Sequence, residues 1–170
     1  MRIYEIIVDH RINYLYKIKE INWQEQNEEK FGIGCFTQAN ELPDFFVFQK
    51  QFLVSKALKQ VIEMYTDEVE FVLVVFSNLE AKEQKEYYKL EVPYIDALSP
   101  STPLLKNGEI QEVILQEANI EDWEIFRIRQ LEINSYSIPH LFVHLDIVES
   151  ILRRPLWGMQ FKKVRVEEAN

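Results

Sequence analysis

The chain has 170 residues, a net charge of −9, 47% hydrophobic residues and a single cysteine. A domain of this size buries roughly 70% of the surface its unfolded chain exposes, so it needs neither disulfides nor a structural metal to hold a core. The acidic balance disfavours direct nucleic-acid binding, which depends on Lys and Arg neutralising phosphates, and no stretch approaches the roughly 18 apolar residues of a membrane helix.

Residues 2–8 and 13–19 read as strands, the second from Tyr14, Tyr16 and Ile18 alternating with Asn13, Lys17 and Lys19. The polar stretch Asn22 to Lys30 reads as an exposed loop or short helix. Phe45-Phe46-Val47-Phe48 reads as a buried strand after the turn signal Pro43-Asp44. Ser55 is a strong N-cap for a helix whose apolar face is Ala57, Leu58, Val61, Ile62 and Tyr65. Residues 69–76 form a continuous β-branched and aromatic run, the mark of an interior strand.

A strand-like stretch follows from Glu86 to Ile95, where Pro93 argues for a sheet edge or a bulge. Residues 110–116 and 125–129 are further strands. Leu141-Phe142-Val143 enters a helix over 145–153, with Ile147, Val148, Ile151 and Leu152 facing the core. Pro155 stops that helix, Trp157-Gly158 turns the chain, and Met159 to Val166 returns as a strand.

The expected fold class is α+β, a mixed and mainly antiparallel sheet carrying two short helices on one face. Phe52-Leu53-Val54-Ser55 before the first helix loosely matches Leu141-Phe142-Val143-His144 before the second, about 90 residues later. The pattern strand, short strand, helix, strand thus occurs twice, as two loosely similar units within one domain spanning 1–170.

Catalytic and metal motifs are not legible. His140 and His144 are spaced i, i+4, but the intervening Leu-Phe-Val reads as strand, and no neighbouring Glu or Cys completes a site in sequence. Cys35 has no partner signature for a nucleophile, and Gly32-Ile33-Gly34 lacks the rest of a phosphate loop. No catalytic residue, cofactor or metal is assigned, and the expectation is a non-enzyme. The one cysteine and the absence of a signal-peptide pattern lead to a cytoplasmic expectation.

The charge is unevenly spread. Between Asn107 and Phe126 there are six acidic residues and no basic one: Glu109, Glu112, Glu117, Glu121, Asp122 and Glu124. With Trp123 as an aromatic anchor, these residues are the predicted partner-binding surface, suited to a basic protein.

The C-terminal third carries a resemblance. Glu124-Ile-Phe-Arg-Ile-Arg, then Pro139-His-Leu-Phe-Val, a short helix and Leu156-Trp-Gly-Met-Gln-Phe resembles a family of bacterial immunity proteins found with polymorphic toxins. The Tyr87-Tyr88 strand leading to Asp96-Ala97-Leu98 and Ser99 looks like the same family's middle segment. The similar region runs over 45–166, leaving 1–44 as a variable part. His144 stands where the family has a small capping residue, and Ser99-Pro100 where it has an acid. The resemblance implies a cytoplasmic antidote that binds and neutralises a cognate toxin domain, with no catalytic residues to carry over. The alternative is a small-molecule-binding or regulatory domain with a pocket lined by Trp23, Tyr87, Tyr88 and Trp157.

Overall fold

A computed structural model describes residues 1–38, 41–133 and 137–168, with the backbone alone at 13–15. The chain is α+β. Its strands are β1 (Ile3–Val8), β2 (Lys17–Gln26), β3 (Glu29–Thr37), β4 (Phe45–Phe48) and β5 (Gln51–Ser55), then α1 (Lys56–Glu63), β6 (Glu70–Asn78) and β7 (Glu83–Glu91). After a long excursion come β8 (Ile114–Gln116), β9 (Ile125–Phe126), β10 (Leu141–His144), α2 (Leu145–Leu152) and β11 (Met159–Glu167).

The single sheet expected from sequence is two. One sheet has the order β2-β3-β6-β7-β5-β4, the other β8-β11-β1-β10-β9. The two halves obey one plan. From β4, the steps to β5, β7 and β6 are antiparallel and the step to β3 is parallel. From β9, the steps to β10, β1 and β11 are antiparallel and the step to β8 is parallel. The loose repeat in the sequence therefore reflects a five-strand arrangement common to both sheets, extended by β2 in the first, with a helix between the second strand and the return strand of each.

Strand alternation explains how these sheets join. Phe45, Phe52, Val54 and Leu90 from one sheet meet Ile6, Leu141, Val143 and Ile125 from the other, together with Val69 before β6, Leu58, Val61 and Ile62 of α1 and Ile147, Val148 and Ile151 of α2. Their neighbours in sequence point the other way. Phe46, Leu53, Val74, Phe76 and Tyr87 form an aromatic cluster on the far face of the first sheet. Ile3, Phe142, Phe126, Leu115 and Val164 pack with Ala97, Ile120 and Ile128 on the far face of the second. Three clusters on a period of two are what half-buried strands dictate.

Several local expectations are corrected. Residues 10–15 form a 3-10 turn, so the second strand starts only at Lys17, and the side chain of Tyr14 lies outside the described residues. The polar stretch from Asn22 is not a loop or helix. It is the tip of the β2–β3 hairpin, closed by Asn27 (φ 53°) and Glu28 (φ 66°), the left-handed pair of a type I′ turn. β7 is an interior strand, between β6 and β5, and ends before Pro93 rather than containing it. Ala57 is exposed, leaving Leu58, Val61 and Ile62 as the buried face of α1. The Asp96-Ala97-Leu98-Ser99 segment is a zipper along β8. Leu98 bridges Leu115, and Ser99 N–H donates to Ile114 O at 2.8 Å.

Candidate partner-binding surface

The far face of the second sheet is only partly covered. Beyond the cluster of Ile3, Phe142 and Val164, strands β11 and β1, with His140 before β10, form the floor of a cleft of about 620 Å³. Residues 108–113, entering β8, make one wall; Gln130, Leu131, Ile133, Ser137 and Ile138, following β9, contribute the other. Glu5 and His140 lie on the floor. His140 Nδ1 is 2.5 Å from Glu5 Oε1, and its ring stacks on Phe142 with 6.4 Å between centroids. The carboxylate can only accept, so the ring nitrogen donates and its orientation is fixed.

One rim is apolar: Ile133 and Ile138 line the cleft and are 73% and 72% exposed. The other is the segment 108–113, joined to the exposed Leu104 and Leu105 through the bridge of Leu104 to Ile110. Between these rims the lining carries both signs of charge: Glu5, Glu109 and Glu112 against Lys162, Lys163 and Arg165. An exposed apolar rim beside a mixed polar floor suits a protein surface better than a small apolar ligand.

The seven residues predicted as one acidic surface are not brought together. Glu109 and Glu112 line the cleft. Glu117 accepts from the N-terminal ammonium at 2.9 Å. Glu121 and Asp122 are exposed, while Trp123 is half-buried against the cluster beneath it and is not a free anchor. Glu124 precedes β9, at the opposite edge of the sheet from β8. Four inter-strand spacings of about 4.8 Å put those edges about 19 Å apart. The acidic run is a belt across the sheet, not a patch.

The histidines part company in the same way. His140 begins the extended segment that His144 ends, and four residues of strand span about 13 Å, so the two cannot share an ion. His144 instead caps α2, its Nδ1 accepting from Asp146 N–H at 3.3 Å. Its Nδ1 is 3.8 Å from Glu124 Oε2 and 3.5 Å from Asp146 Oδ2. Sequence reading found no Glu beside His144 because Glu124 comes from 20 positions away, across the β9–β10 pair, and Asp146, two positions on, was not weighed as a ligand. Among the described residues, Glu124, His144 and Asp146 are a group able to hold a metal ion.

The aromatic pocket of the alternative reading is also dispersed. Tyr87 is buried in the far-face cluster and Tyr88 packs against the central one, as successive strand residues must. Trp23 is 38% exposed on the β2 edge strand under Lys89 Nζ, 4.7 Å from its ring centre. Trp157 sits beside Asp44, which accepts its N–H at 2.8 Å. Cys35 is half-buried within β3.

The serines of the middle segment are structural. Ser99 Oγ donates to Glu167 Oε2 at 2.8 Å, and Ser101 Oγ donates to the same oxygen. These hydroxyls hold the Glu167 carboxyl below its ordinary range. They tie the end of β11 to the segment beside β8. No described helix is long and apolar enough to cross a membrane. No protein-family model matches the chain, and no curated protein matches it either.

Proposed function

We propose that this protein is an immunity protein that binds and neutralises a cognate toxin domain, and that it does so through the cleft on the far face of its second sheet. The observation that carries the reading is the exposed apolar rim of Ile133 and Ile138 beside a charged floor. Large exposed apolar side chains grouped at the mouth of a cleft are what a protein interface uses for its central contacts. The resemblance over 45–166 supplies the toxin as partner, and the absence of a catalytic motif in the sequence agrees with an antidote acting by occlusion.

Charge plays a secondary part. Glu109 and Glu112 attract a basic segment of the toxin at one wall, and Lys162 and Arg165 an acidic one at the floor, so register rather than bulk attraction is selected. Partner, cytoplasmic site and non-enzymatic action all belong to this proposal. The test is co-expression with a candidate cognate toxin domain. Growth should be rescued by the native chain, and replacing Ile133 and Ile138 by Asp should abolish rescue while leaving the circular dichroism spectrum unchanged. Undiminished rescue by that variant rejects the cleft as the interface. A small metabolite retained by the native chain in native mass spectrometry, with no toxin binding, favours the ligand-binding alternative.

A further inference from the structure

We propose that Glu124, His144 and Asp146 form a binding site for a divalent transition-metal ion such as Zn²⁺ at the β9–β10–α2 junction. The two-fold plan of the molecule provides an internal comparison. Asp44 and Glu124 each immediately precede the first strand of a hairpin, and each carbonyl accepts the N–H of the following helix's N-cap at 2.9 Å, Ser55 in one half and His144 in the other. Ala57 and Asp146 are each the second residue of the helix.

In the first half the carboxylate is fully occupied. Asp44 Oδ1 accepts from Ser55 Oγ at 2.6 Å and Oδ2 accepts from Trp157 N–H at 2.8 Å. In the second half Ser and Ala become His and Asp, and Glu124 Oε2 is buried with no hydrogen-bond partner among the described residues. The same scaffold that builds a closed cap in one half thus presents an imidazole nitrogen and two carboxylates in the other.

The donor atoms lie within 4.8 Å of one another. A tetrahedral ion with bonds of about 2.0–2.2 Å needs donor separations of about 3.3–3.6 Å. His144 Nδ1 is already 3.5 Å from Asp146 and 3.8 Å from Glu124, so the closing movement is a few tenths of an ångström at the histidine. One nitrogen and two oxygens suit zinc and its borderline neighbours, with water completing the shell. The helix N-terminus carries about +0.5 of an elementary charge, which two carboxylates outweigh. The ion would take over Nδ1 from the 3.3 Å cap bond, the counterpart of the 3.2 Å bond in which Ser55 Oγ accepts Leu58 N–H in the first half.

The test is calorimetric titration of the EDTA-stripped full chain with Zn²⁺, alongside its melting temperature. The native chain should take up one ion saturably and melt higher with it. The double variant H144S/D146A copies the cap of the first half, so its metal-free melting temperature should stay close to native. Its zinc affinity should fall by more than the roughly 10–100-fold that loss of a merely supporting residue produces. No saturable uptake by the native chain, or native affinity in the variant, overturns the proposal. Should the double variant not fold, Glu124→Gln, which keeps the side chain's size, decides by the same criterion.

Discussion

Tyr87 shows how much one side chain can carry. Its hydroxyl donates to Leu42 O and Pro43 O, both at 2.9 Å, fastening the segment before β4 to the middle of the first sheet. Burial pushes its phenol well above the ordinary tyrosine range, and the negative charges of Asp44 and Glu41 act in the same direction. A raised folded pKa means that the unfolded chain ionises first. The stabilisation is complete below pH ~10 and is lost as pH rises beyond it. Tyr87→Phe is expected to lower stability by about 1–2 kcal/mol at neutral pH, from two carbonyls left without their donor. It should also flatten the decline above pH ~10, both read from urea unfolding across pH. Nothing in the sequence distinguished Tyr87 from Tyr88, because facing the core or a pocket depends on strand phase, which adjacent tyrosines do not reveal.

Gly158 is the opposite case. Its φ of +102° and its closeness to Pro43, whose Cβ would lie 2.3 Å from an added methyl, both demand glycine. Gly158→Ala is expected to destabilise by about 2 kcal/mol or more, combining backbone strain with overlap, and chemical denaturation measures it. The sequence announced the turn at Trp157-Gly158, though not that the turn is pressed against the start of the other half.

At the scale of elements, helix starts were the most legible features. Ser55 and His144 cap α1 and α2 as their positions in sequence suggested, since a cap is decided within four residues. The β2–β3 hairpin was the least legible. β2 sits at a sheet edge, and Glu25 and Gln26 are exposed, so no apolar alternation marks its second half. Its turn uses Asn27-Glu28 where Asn-Gly would have signalled a hairpin. Glu28→Gly relieves a left-handed residue and is expected to stabilise the chain by about 1 kcal/mol, visible as a higher melting temperature. An unchanged or lower value would mean that the hairpin tip is not strained.

For the whole molecule, what sequence could not supply was neighbourhood. β7 enters between β5 and β6, and β1 arrives from the N-terminus to sit between β10 and β11, so one expected sheet became two. The same cause misplaced the acidic surface. A run continuous in sequence crosses the sheet from edge to edge, while Glu109 and Glu112 meet Glu5 and His140 from distant strands. Half of the cleft was therefore present in the sequence as charge, and its apolar rim was not, because Ile133 and Ile138 look like core residues until the fold exposes them.

The central claim is that the cleft seats a toxin domain. Its most direct test is the affinity of the purified full chain for that domain, native against the variant with Ile133→Asp and Ile138→Asp, by calorimetry. The expected result is a one-to-one complex, weakened in the variant by at least about 2 kcal/mol, as loss of central interface contacts requires. Equal affinity in the two proteins would contradict the account.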